Sequence, residues 1–174
     1  MKYGGAECRG DYCRRVELPR GDGSVWSLAV SPLPLAFHRR LRERGIVAPR
    51  RPTRMARDSS GKPLRDQQGL AVLVPDAESA EYLAALDLYN QRVAALVLVE
   101  GLRGEESLQF ETPVPGDNGD WLRYADGICE ELERAGWSAG DVGLLCEHVF
   151  RVSNLLDEHV RDTAGNFSPA AGAT

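Results

Sequence analysis

"GWSAGDVGLLCEHVFRVSNLLDEHV", Gly136 to Val160, places a cysteine and a histidine two residues apart, Cys146 and His148. Taken as chemistry, the pair is a candidate metal or nucleophile site. Taken as structure, it is part of a helix, and the neighbouring residues support the helix. Ser138-Ala139-Gly140-Asp141 has the form of a capping box, with Ser138 at the cap and Asp141 reaching back to it. Beyond it Val142, Leu145, Cys146, Val149, Val152 and Leu156 recur at helical spacing. Two steps along an α-helix turn a side chain by about 200°. Cys146 therefore joins the apolar stripe, while His148 falls toward the polar side with Glu147 and Arg151. From one helix they cannot share an ion.

The same periodicity marks two further helices upstream. Tyr82, Leu86, Tyr89, Val93, Leu96 and Val97 predict a helix from Asp76 or Ser79 to Leu102, closed by Gly101 and Gly104. Its later turns, "VAALVLV", are apolar on every side, the mark of a central helix. Trp121, Tyr124, Ala125, Ile128, Leu132 and Ala135 predict another from near Asn118 to Gly136. Glu130 and Arg134 stand as an i,i+4 ion pair on its wet face, and Cys129 sits at the edge of its apolar one. Between these helices "LQFETPVPGD" reads as an extended connector, with Leu108 and Phe110 available to pack.

The first part of the chain changes period. Tyr12, Arg14, Val16 and Leu18 alternate, as do Ser24, Trp26, Leu28 and Val30, and "PRGDG" between them predicts a hairpin turn. Arg20-Gly21-Asp22 spells an integrin-type tripeptide, but its Gly and Asp suit a turn. Pro32 and Pro34 suit the start of a short helix with Leu35, Phe37 and Leu41 on its stripe and Gly45 at its stop. His38 lies there among four arginines. Residues 46–75 are rich in Pro and Gly. Their "DSSGKPLRDQQG" predicts a turn joining two short extended pieces, or a mobile arm, and "GLAVLVPD" a buried strand or docking segment.

The fold class expected is mainly α with a small N-terminal β-hairpin, an α+β arrangement of about four helices. It divides into a hairpin plus short helix (1–45), a basic arm (46–75), a helical core (76–160) and a flexible tail (161–174), within one globular domain. A chain of 174 residues, 27% charged and 43% hydrophobic, suits an ordinary soluble domain. No apolar stretch follows Met1-Lys2 and the longest wholly apolar run is Val93 to Val99, so neither a signal peptide nor a membrane span is expected. A cytoplasmic protein with free thiols follows. The net charge of −5 is unevenly spread: residues 1–70 hold 15 Lys and Arg against 7 Asp and Glu, residues 71–174 hold 6 against 19. Such a split suggests halves that attract each other, or a basic arm that meets an acidic partner.

Enzyme chemistry finds no constellation. Cys8 and Cys13 lack the second close pair that a four-ligand zinc site needs, so no metal is expected. No phosphate loop or G-x-S-x-G elbow is present, and Ser59 to Lys62 forms S-x-x-K only within the arm. Glu130, Glu131, Glu133, Asp157 and Glu158 fall on exposed helix faces. No catalytic residue and no cofactor is assigned. Nucleic-acid binding is the rival, because Arg50, Arg51, Arg54, Arg57, Lys62 and Arg65 face one acid, Asp58, within residues 50–65. The arm carries no aromatic residue for base stacking.

Three segments, "VWSLAVSPLPLAFHRRL" (Val25–Leu41), "AEYLAALDLYNQRVAALVLVEGLR" (Ala80–Arg103) and "DWLRYADGICEELERAGWSAGDVGLLCEHVFRVSNL" (Asp120–Leu155), cover less than half of the chain. Their order and packing pattern resemble the tail assembly chaperones of long-tailed bacteriophages and prophages. The resemblance implies a non-enzymatic helical protein of the host cytoplasm that binds the tape-measure protein, or another tail protein, before the tube polymerises, with self-association as a further option. The arm departs from a compact version of such a chaperone. Client binding calls for exposed apolar side chains flanked by charge, and the candidates are Tyr89, Trp121, Trp137 and Phe150.

Overall fold

The computed structural model describes residues 2–7, 12–116 and 119–154. Cys8, Asn118 and everything from Leu155 onward, including Leu156 and the expected tail, lie outside them. A minimal ribbon, β1 (Lys2–Tyr3) against β2 (Ala6–Glu7), comes first. The alternating segments then pair as expected: β3 (Arg14–Pro19) and β4 (Val25–Val30) are antiparallel, with Val16 opposite Leu28 and Leu18 opposite Trp26. The Asp22 carboxylate closes the turn by accepting from the Ser24 N–H (2.9 Å) and hydroxyl (2.7 Å). Val16, Leu18, Leu28 and Val30 are buried on one face.

The short helix α1 (Phe37–Glu43) starts later than its prolines suggest. Phe37 and Leu41 are buried, but Leu35 precedes the helix and is fully exposed, so it belongs to no stripe. Gly45 takes φ +79 and lets the Ile46 N–H donate back to the Leu41 carbonyl (2.9 Å). Ile46 is thereby carried into the core, and the arm begins after it.

The arm is ordered rather than a single turn. Its stem pairs β5 (Thr53–Met55) with β6 (Leu73–Pro75). Above the stem three strands close a ring of hydrogen bonds: Leu64 donates to Ala56 (2.8 Å), Val72 to Leu64 (3.0 Å) and Ala56 to Val72 (2.8 Å). Two lobes of one Arg-Asp-x-x-Gly pattern, Arg57-Asp58-Ser59-Ser60-Gly61 and Arg65-Asp66-Gln67-Gln68-Gly69, fill the corners. In each, the Asp carboxylate accepts two backbone N–H groups, the Gly takes positive φ, and the Arg donates to that Gly's carbonyl. The "GLAVLVPD" segment supplies one strand, but not a buried one: Leu70 and Leu73 are exposed.

Three long helices follow among the described residues. α2 (Ala80–Gly101) is capped by Ser79, whose hydroxyl accepts from the Tyr82 N–H. α3 (Trp121–Arg134) is capped by Asp120, and α4 (Ala139–Val152) by Ser138 through the predicted capping box. The described residues are therefore mainly helical, an α+β fold with four helices among them and a hairpin near the N-terminus. Ala95, Leu96, Val97 and Leu98 of α2 lie at the centre, packed by Ile128, Leu145 and Val149 and by the inner face of the hairpin. The connector packs through Leu108 and Phe110. It is pinned where the Glu131 carboxylate accepts from the Glu111 N–H (2.6 Å) and the Thr112 N–H (2.9 Å). Glu130 and Arg134 form no salt bridge, while Arg151 and Glu147 do, at 2.7 Å. No described helix is long and apolar enough to cross a membrane.

Candidate interaction surfaces

The hairpin turn is tied to the helices by its own arginine. Arg20 donates to the Asp141 carboxylate (2.8 Å) and to the Gly136 carbonyl (2.9 Å), and its guanidinium lies 4.2 Å from the centre of the Trp26 ring. Trp26 in turn meets Trp137, ring centres 5.7 Å apart. The R-G-D arginine is thus a structural clamp with most of its side chain covered.

Two of the four client-binding candidates are core residues. Trp121 and Trp137 are each only 8% exposed. Trp121 is stacked under the Arg44 guanidinium at 3.5 Å and edge-on to Tyr124. Tyr89 and Phe150 are half-buried, packed on the margin of the same core. The four form no single patch through any ring pairing among themselves.

What the structure leaves open lies beside them. The outer face of the first three turns of α2 is clear of the core, with Leu83 50% and Leu88 42% exposed and Glu81 and Asp87 alongside, while Tyr89 packs on the core margin. The helix makes its ties to α3 further on: Arg92 grips Asp126 through two hydrogen bonds (2.7 and 2.8 Å), and the Gln91 carbonyl accepts from the Cys129 thiol. Periodicity alone did not separate the two halves of this helix, because both carry apolar residues at helical spacing. The usable signal was the change from "AALDLYNQR", with a charge or amide at Asp87, Asn90, Gln91 and Arg92, to the wholly apolar "VAALVLV".

A cleft of about 420 Å³ opens where α2, α3 and α4 meet. Ala94, Ala95, Val142 and Gly143 make it apolar, Trp137 and Cys146 line it as well, and Glu133 supplies a carboxylate. Cys129 and Cys146 both face this cleft, but neither is poised as a nucleophile. Burial pushes the Cys129 thiol up, and pushes Cys146 up to about 11. The Cys146 thiol donates to the Ala94 carbonyl. His148, expected on the polar side, is half-buried, and its Nδ1 meets no hydrogen-bond partner among the described residues. Cys13 is exposed, and Cys8 lies outside the described residues. No group of three or more His, Cys, Asp or Glu side chains is arranged to hold a metal among the described residues.

The six basic residues of the arm, Arg50, Arg51, Arg54, Arg57, Lys62 and Arg65, are all exposed. Arg54 leans on Asp76 at 3.8 Å, and the other five form no salt bridge among the described residues. Only Ala56 is buried between Arg50 and Asp76.

Comparison with family models, curated proteins and solved structures finds no match to this chain.

Proposed function

We propose that the protein is a non-enzymatic assembly chaperone of the phage-tail type, which holds a helical tape-measure protein before the tail tube forms on it. The observation that carries this reading is the free half of α2, where Leu83 and Leu88 are presented on a helix whose other half is locked in the core. Leu83 and Leu88 stand about 140° apart around the helix with the exposed Ala84 and Asp87 between them, so they border one broad face on which an amphipathic client helix would lay its own apolar stripe. Nothing in such binding requires a nucleophile, a metal or an enclosed pocket.

The test is co-purification with the candidate tape-measure protein. Leu83→Ser and Leu88→Ser change exposed positions, so the fold should hold, and each should weaken association by about tenfold. Association that survives both substitutions would overturn the assignment of this surface. A second reading, nucleic-acid binding by the arm, is favoured by its exposed cations. The arm carries no aromatic residue for base stacking, which weighs against it. Steep loss of DNA or RNA binding with salt, traced to the arm, would support that second reading.

A further inference from the structure

We infer that the cleft between α2, α3 and α4 receives the basic arm of a second copy of this chain, so that molecules associate head to tail. This inference does not rest on the client reading, because it uses a different surface. The cleft is apolar within, through Ala94, Ala95, Val142 and Cys146, and its volume of about 420 Å³ is large enough for a few side chains. Its rim carries one carboxylate, Glu133. Glu130 stands one turn before it on the exposed side of α3, over a neighbouring hollow that Asp126 also lines. Arg92 neutralises Asp126, while Glu130 and Glu133 form no salt bridge among the described residues, and Glu133 lines the cleft itself.

The arm has the converse character. Leu64 and Leu70 are 43% and 62% exposed on its lobes, next to Arg57, Lys62 and Arg65, which have no carboxylate bound across a salt bridge. Its ring of hydrogen bonds and its two glycine-turned lobes fix the backbone that carries these side chains without help from the helical core. A preorganised apolar and basic tip therefore stands on the same chain as an apolar cleft with carboxylates at and beside its rim. Docking one on the other loses little conformational entropy. Arm and cleft are different patches, so the contact is heterologous: each added copy leaves one arm and one cleft free.

A charge swap tests the inference. Sedimentation velocity of the full chain at low salt should show a mass that rises with concentration, and a return to monomer at about 0.5 M salt, where screening is short-ranged. Arg57→Glu with Arg65→Glu should lower the self-association constant at least tenfold, as should Glu130→Lys with Glu133→Lys. All four positions are exposed, and circular dichroism of each variant should match the parent. Mixing the two reversed variants should restore association, now between unlike copies. The half-exposed Cys129 in the cleft should lose reactivity toward a maleimide under the conditions where copies associate. A wild-type chain that stays monomeric at low salt overturns the inference. So does a mixture that fails to associate, and so does an arm that binds a DNA oligonucleotide while no self-association is detected.

Discussion

Arg20 shows how one side chain can join elements far apart in sequence. It carries a charged hydrogen bond, a bond to the carbonyl that ends α3, and a stack on Trp26. Arg20→Ala should cost about 2 kcal/mol, the scale of a charge-assisted hydrogen bond plus a partly desolvated cation–π contact. Arg20→Lys should recover only part of it, because an ammonium cannot reproduce the fork. Denaturant midpoints measure both, and a midpoint unchanged in Arg20→Ala would remove the clamp from the account. Its partner Asp141 adds a pH dependence. The Ser138 N–H, and then Arg20, hold the Asp141 carboxyl below its usual range, with burial opposing. A depressed folded value means the contribution is complete above the ordinary carboxylate value of about 3.9 and is lost as pH falls through the lower folded value. Asp141→Asn should therefore be less stable than the parent at neutral pH, with the gap closing in acid. A gap that stays constant across the acid range would show that ionisation of Asp141 plays no part. Ser138 and Asp141 were legible as a pair in the sequence because a capping box is local. The third member, Arg20, was read only as part of a turn: its partners lie more than a hundred residues away, and no local pattern announces them.

At the scale of elements, the contact of α2 with α4 depends on Gly101. A β-carbon there would collide with Cγ2 of Val149, a side chain with no exposed surface to retreat into. Helix propensity favours alanine over glycine by about 1 kcal/mol, but overpacking costs about 1–3 kcal/mol. The clash should win, and Gly101→Ala should be net destabilising by about 1 kcal/mol. The double variant Gly101→Ala with Val149→Ala should lose less than the sum of the single changes, as contacting positions couple. Strict additivity would place the clash elsewhere. Sequence reading identified Gly101 as a stop signal, which it is, and gave no hint of its second role in close approach. The arm was legible to a lesser degree. Its turns could be seen in Gly61 and Gly69, but the eight-residue repeat of Arg-Asp-x-x-Gly was the stronger signal and went unused. Hydrophobic periodicity is silent there, since the lobes are held by carboxylate-to-backbone bonds and have almost no buried side chains.

For the whole molecule, the question is whether the arm belongs to the folding unit or is carried by it. The core is continuous from the hairpin through α1 and Ile46 to the three long helices, while the arm adds only Ala56 to the buried set between Arg50 and Asp76. The arm also leaves and rejoins at one place, because the Asp76 N–H donates to the Pro52 carbonyl at 2.8 Å. Residues 53–75 can therefore be replaced by a short Gly-Ser linker without stretching the chain. Changes confined to exposed segments usually shift stability by less than about 0.5 kcal/mol, and shortening a loop lowers its closure entropy slightly. Thermal and denaturant unfolding of the excised protein should stay cooperative, with a midpoint close to that of the parent. The same protein should be monomeric at low salt and should still bind the client, since the free half of α2 is untouched. Loss of cooperative unfolding on excision would mean that the arm is part of the core after all. Loss of client binding in a protein that remains folded would move the client surface from the acidic helices to the arm.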